Sequence, residues 1–99
     1  MNPYEAAIEV LEKHGWIQGT SHTVWGYCLS GALGVVAGIR VGEVTYTGCA
    51  RYDNWSTYCK FFRAQLRIQS IPFWNDRPAR TKEEVLEALR VVAKAWANK

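Results

Sequence analysis

The sequence predicts an all-α protein. A single helical domain covers residues 1–99, with four main helices at about 3–14, 27–40, 54–69 and 82–97 and the second at the centre. Three observations carry this prediction. Two strong helix-start signals stand near the ends of the chain, Asn2-Pro3-Tyr4-Glu5 and Thr81-Lys82-Glu83-Glu84. A run of apolar and small residues from Tyr27 to Ile39 is too short to span a bilayer, which takes about 20 apolar residues, and too apolar to lie on a surface. A third segment carries Trp55, Tyr58, Cys59, Phe62 and Leu66 on one helical stripe.

The first helix opens on Asn2 as N-cap, Pro3 at the first helical position and Glu5 three residues after the cap. Tyr4, Ala7, Ile8 and Leu11 form its apolar face, with Glu5, Glu9 and Glu12 opposite. Gly15 stands where a left-handed residue ends a helix. Trp16 would then fold back on Leu11 as a structural plug. Residues 17–26 read as a loop, with brief extended structure at Thr23-Val24-Trp25. In the second helix Gly31 and Gly34, with Ala32, leave room for a neighbouring helix, and Gly38 marks its end. Val44-Thr45-Tyr46-Thr47 has β propensity but no evident strand to pair with, so the segment reads as an irregular loop.

Asp53 or Asn54 is expected to cap the third helix. On it Lys60, Arg63 and Arg67 are spaced to share a face. Such cations favour the C-terminal end of a helix, and they also suit an acidic or phosphate-bearing partner. Pro72 is expected to stop any continuation past Ile71. The stretch Ile71–Leu86 then reads as an ordered connection. Trp74 pins it to the core, Asn75 or Asp76 bonds to backbone, and Thr81 with Glu84 forms a capping box. Val85, Leu86, Leu89, Val92, Ala93 and Trp96 make the buried face of the last helix.

Composition narrows the function. The 99 residues carry a formal charge of +3, which permits nucleic acid or acidic partners without arguing for them. No apolar run follows a basic N-terminal segment, so no signal peptide or membrane anchor is read. Cys28, Cys49 and Cys59 are an odd set, expected to be reduced thiols in a cytoplasm. Neither His14 nor His22 falls at zinc-ligand spacing from a cysteine, and no metal or cofactor is expected. A thiol enzyme would need Cys28 beside His22, with no acid evidently placed to orient the imidazole. Gly31-Ala32-Leu33-Gly34 is not a phosphate loop, because neither a preceding strand nor a following Gly-Lys-Ser/Thr is present. The five tryptophans and five tyrosines mostly fill the core, leaving one or two for a partner surface.

Four blocks occur in order along the chain: Gly15-Trp16-Ile17-Gln18-Gly19, Cys28-Leu29-Ser30-Gly31-Ala32-Leu33, Trp74-Asn75-Asp76, and Arg80-Thr81 with Glu83-Glu84-Val85-Leu86. That order resembles a family of small uncharacterised proteins found in actinobacteria and in their phages, mycobacteriophages included. The resemblance covers most of the chain, is most specific from Trp74 to Leu86 and is weakest over 40–56. It carries no catalytic residues and implies a cytoplasmic location in a bacterial or infected cell. The expected function is therefore a small non-enzymatic binding protein, phage-encoded, acting on a host or phage protein. Its expected contact is the exposed part of the aromatic set together with Lys60, Arg63 and Arg67. Self-association is suited equally by the spare aromatics and the close-packing glycine helix. A nucleic-acid binder using the basic stripe is the alternative, and a thiol enzyme at Cys28 ranks below both.

Overall fold

Capping accounts for the first and last helices of the computed structural model, which describes residues 2–40 and 49–99. Helix α1 spans Pro3–His14; Asn2 Oδ1 accepts from the N–H groups of Tyr4 and Glu5, and Glu5 returns to the Asn2 N–H at 3.0 Å. The last helix, Lys82–Ala97, starts on the same reciprocal arrangement between Thr81 and Glu84. Both match the expected signals, because a capping box needs only residues three apart. The Asn2 amide also donates to the Ala93 carbonyl at 2.9 Å, fastening one helix start to the other helix's flank.

Between these helices the architecture departs from four helices. Five are present among the described residues, with a small antiparallel hairpin. After α1 come β1 (His22–Thr23), β2 (Gly26–Tyr27), α2 (Leu29–Val36), α3 (Ala50–Leu66), α4 (Ile71–Asn75) and α5, the Lys82–Ala97 helix. The second helix is shorter than the expected 27–40. Tyr27 is drawn into a strand, Cys28 becomes the cap by accepting the Gly31 N–H at its Sγ, and Gly38 at φ 94° lies just past the end. It is still central, packing on α1, α3 and α4. Helix α3 begins four residues before the expected 54. Cys49 is its N-cap, which places Asp53 in the first turn, where a carboxylate favours the positive helix end. The Val44–Thr47 segment lies outside the described residues.

As expected, α3 does not continue past Ile71, but residues 71–75 form a short helix where a loop connection was expected: Pro72 sits in the first turn of α4, where a missing N–H costs nothing. Ser70 caps that turn through the Phe73 N–H at 3.2 Å. The break between α3 and α4 comes instead at Arg67, left-handed at φ 57°, with the Ile68 N–H closing on the Arg63 carbonyl.

The core gathers Tyr4, Leu11, Leu29, Leu33, Phe62, Val85 and Leu89, all fully buried. Tyr4 is its aromatic centre. Its hydroxyl donates to the Tyr58 carbonyl at 2.6 Å, and its ring meets Tyr58, Phe61, Phe62 and Trp96. Trp16, Trp55, Trp74 and Trp96 are half-buried against the same core, as most aromatics were expected to be. Trp25 is the tryptophan left outside.

Candidate interaction surface

The surface begins with a buried side chain. Asn75 ends α4 and is fully buried. Its Oδ1 accepts from Trp16 Nε1 at 2.7 Å and from the Leu29 N–H at 3.1 Å. Its Nδ2 donates to the Ile17 carbonyl at 3.1 Å and to Asp76 Oδ1 at 2.9 Å. A primary amide has two donor hydrogens and two acceptor lone pairs, so its capacity is filled. Gln18 adds bonds to the Asn75 and Arg77 carbonyls at 2.9 and 2.8 Å, and Asp76 accepts the Gly19 N–H at 3.0 Å. Three of the blocks separated in sequence thus meet at one amide. Asn75 or Asp76 was expected to bond to backbone, and both do; Trp74 is half-buried, with its ring between Phe62 and the Arg80 guanidinium, the latter 4.0 Å from the centroid. Arg80 also donates to the Trp74 carbonyl at 3.0 Å and pairs with Glu84 at 3.6 Å, linking α4 to the cap of α5.

This knot holds the base of the hairpin. Gly15 ends α1 with positive φ, as expected, but ψ 162° sends the chain out extended. Trp16 therefore reaches Asn75 and bridges Tyr27, while its ring packs against the core cluster that includes Leu11. The Ile17 N–H donates to the Tyr27 carbonyl and the Tyr27 N–H to the Gly15 carbonyl, both at 3.0 Å. In the hairpin His22 pairs with Tyr27 and Thr23 with Gly26, and the Trp25 N–H donates to Thr23 Oγ1 at 3.1 Å. Of the expected extended segment 23–25, Thr23 lies in a strand, and Val24 and Trp25 form the two-residue turn between the paired strands. Its tip carries Val24 and Trp25, exposed by 89% and 78%. Phe73, 80% exposed on α4, also leaves its ring in solvent.

The expected basic stripe is placed differently along its length. Lys60 is exposed on α3, Arg63 is half-buried and lines a cavity, and Arg67 is exposed one residue beyond the helix. Because Arg67 is left-handed, the regular i, i+7 face does not extend to it. Gly31 also has a different neighbour from the one expected. A Cβ there would collide with the Ser21 carbonyl, so the glycine admits the loop before the hairpin rather than a helix.

The thiols fall into two environments. Burial pushes the Cys28 thiol up, and burial pushes Cys59 up to about 12. Cys49 is held below the usual range by the Tyr52 and Arg51 amides at the head of α3 and by the Arg51 side chain. His22 stacks on Tyr27, and the hydrogen bonds of the described residues do not join it to Cys28. Iodoacetamide at neutral pH is expected to modify native Cys49 well before Cys28 or Cys59, read by mass spectrometry of timed samples. Cys28 reacting first would restore the thiol-enzyme reading. Among the described residues no His, Cys, Asp or Glu cluster is arranged to hold a metal, and no helix is long and apolar enough to cross a membrane.

Fold and site together define a small, mainly helical domain in which a buried asparagine anchors an aromatic-tipped hairpin. The chain belongs to the family of unknown function DUF6197, whose profile matches residues 3–95. The match spans the hairpin and all the Asn75 partners. The chain has no significant match among curated proteins or solved structures.

Proposed function

We propose that the protein is a small non-enzymatic binding protein whose contact with a protein partner is anchored by Trp25 and Val24. The supporting observation is the exposure of these two side chains at the tip of a hairpin tied down by the Asn75 network. A tryptophan held on a fixed turn offers a large apolar area with little side-chain entropy to lose, the character of an interface hot spot. Lys60 and Arg67 belong to the surrounding charged surface and would tune partner choice more than affinity. A phage or actinobacterial origin and a cytoplasmic setting rest on the sequence resemblance and on the odd set of thiols.

The test is the double variant Val24→Ser, Trp25→Ser. Stability should change by only about 0.5 kcal/mol, as for exposed sites generally. Affinity capture from host lysate should recover a protein with the wild type that the variant loses. Conversion of Lys60, Arg63 and Arg67 to Glu should leave that capture largely in place. Sedimentation of the purified chain adds a second readout: a dimer that the variant abolishes makes a second copy the partner. Equal capture and equal sedimentation by wild type and double variant would exclude the hairpin tip as the contact.

A further inference from the structure

A second site lies away from the hairpin, where the head of α2, one face of α3 and the start of α4 line an open-sided pocket of about 310 Å³. Its walls include Ser30, Tyr52, Trp55, Ser56, Arg63 and Ile71. Positions 52, 55, 56 and 63 fall on one stripe of α3, so the helix brings two aromatic residues, a serine and an arginine to the same space. The Trp55 ring is fixed, since its Nε1 donates to the Ser30 carbonyl at 3.0 Å and Tyr52 packs edge-on against it.

The polar groups facing this cavity share a character. Among the described residues the Arg63 guanidinium has no carboxylate or carbonyl partner, and the Ser30 and Ser56 hydroxyls bond to no protein group. Among the described residues no acidic side chain lines the walls. Cys59 lies beside Arg63, but burial keeps its thiol protonated, so it supplies no counter-charge. One uncompensated cation, two hydroxyl donors and an aromatic wall make a complement to an anion bearing an apolar ring.

We propose that this cavity binds a small aromatic or aliphatic monocarboxylate, with the carboxylate on the Arg63 fork and the apolar body against Trp55 and Ile71. A planar guanidinium matches a carboxylate through two parallel N–H···O bonds. A single cation balances a single negative charge, whereas a phosphate monoester carries close to two. The volume is at the low end of ligand pockets, which run roughly 300–1,000 Å³, and suits one ring with a short acid arm. The cavity shares no residue with Val24 or Trp25, so this inference stands apart from the partner reading.

The experiment is an NMR titration of the whole chain with phenylacetate, phenylacetamide and phenyl phosphate, following the Trp55 indole N–H and the Ser56 amide. Phenylacetate should give saturable shifts at both reporters, and the neutral amide should bind at least about tenfold more weakly. Arg63→Gln should cost at least about tenfold in phenylacetate affinity, and Arg63→Lys, which keeps charge but loses the fork, should fall between. Thermal unfolding checks that each variant folds; if Arg63→Gln does not, the weakening in Arg63→Lys decides. Absence of saturable shifts, undiminished affinity in the Arg63 variants, or tighter binding of phenyl phosphate than of phenylacetate would overturn the assignment.

Discussion

Asn75→Ala is expected to remove a large part of the folding stability. The side chain is fully buried and joins α4 to the chain before the hairpin and to the first turn of α2. Truncation strands the Trp16 indole N–H, the Leu29 N–H and the Ile17 carbonyl, whose amide partner is deleted. A buried polar group left without a partner costs about 1–3 kcal/mol, so the network's loss is on the order of 3–5 kcal/mol. Domains of this size are stable by about 5–15 kcal/mol, so the variant should lie close to its unfolding threshold. Urea denaturation followed by circular dichroism measures the loss. Asn75→Asp sharpens the prediction, because a carboxylate there would face the Ile17 carbonyl and Asp76 where the amide now donates. Its folded-state pKa would be raised above the unfolded value. The variant should therefore be most stable below the unfolded pKa and lose stability as pH rises through the folded one. A loss below about 1 kcal/mol for Asn75→Ala would show that the network is not the anchor described.

Gly26→Ala is expected to damage the hairpin beside its turn, with a cost of about 2–4 kcal/mol. Gly26 is buried at φ 145°, a conformation that side chains rarely adopt, and a Cβ would fall on the Gly15 carbonyl group. Gly15 is equally restricted from the other side, since its own Cβ would meet the Trp25 carbonyl. The two glycines let two backbone segments touch where the strand pairing starts. Gly19→Ala is the internal comparison. Its φ of 86° also disfavours alanine, but nothing lies within 4 Å of the added methyl. It should cost only about 1–2 kcal/mol, the penalty of the left-handed conformation alone. Thermal denaturation of both variants, with NMR of the 15–27 segment, separates backbone strain from steric collision. Equal losses in the two would refute the close approach.

Features that depend on neighbours within one or two helical turns were legible in the sequence. Asn2 with Glu5 and Thr81 with Glu84 formed the expected boxes, and the Val85–Ala93 face of the last helix was buried as its spacing required. Glu87 and Arg90, three residues apart on the last helix, pair at 3.2 Å. Expectations failed where one residue type supports opposite local outcomes. Pro72 can end one helix or begin another, and Ser70 before it is what makes it a start. Tyr27 could continue an apolar helix or enter a strand, and pairing with His22 and Trp16 decided for the strand.

The candidate sites were legible only as residue types. Asn75 stood out in the sequence as a residue that would bond to backbone, but its partners Trp16, Ile17 and Leu29 are 59, 58 and 46 positions away. Five tryptophans were visible, but which one stays outside depends on how α1 ends and how the hairpin closes. Arg63 had the spacing of a surface cation, and packing of α3 against α2 and α4 turned it toward a cavity. The caps of the first and last helices, the amphipathic faces and the mainly helical class could thus be read from the residues alone, because they follow from bonds and contacts among near neighbours. The tertiary structure alone decided which polar side chain was buried, which tryptophan was exposed and which arginine faced inward. Each of those outcomes depends on segments brought together only after the helices pack.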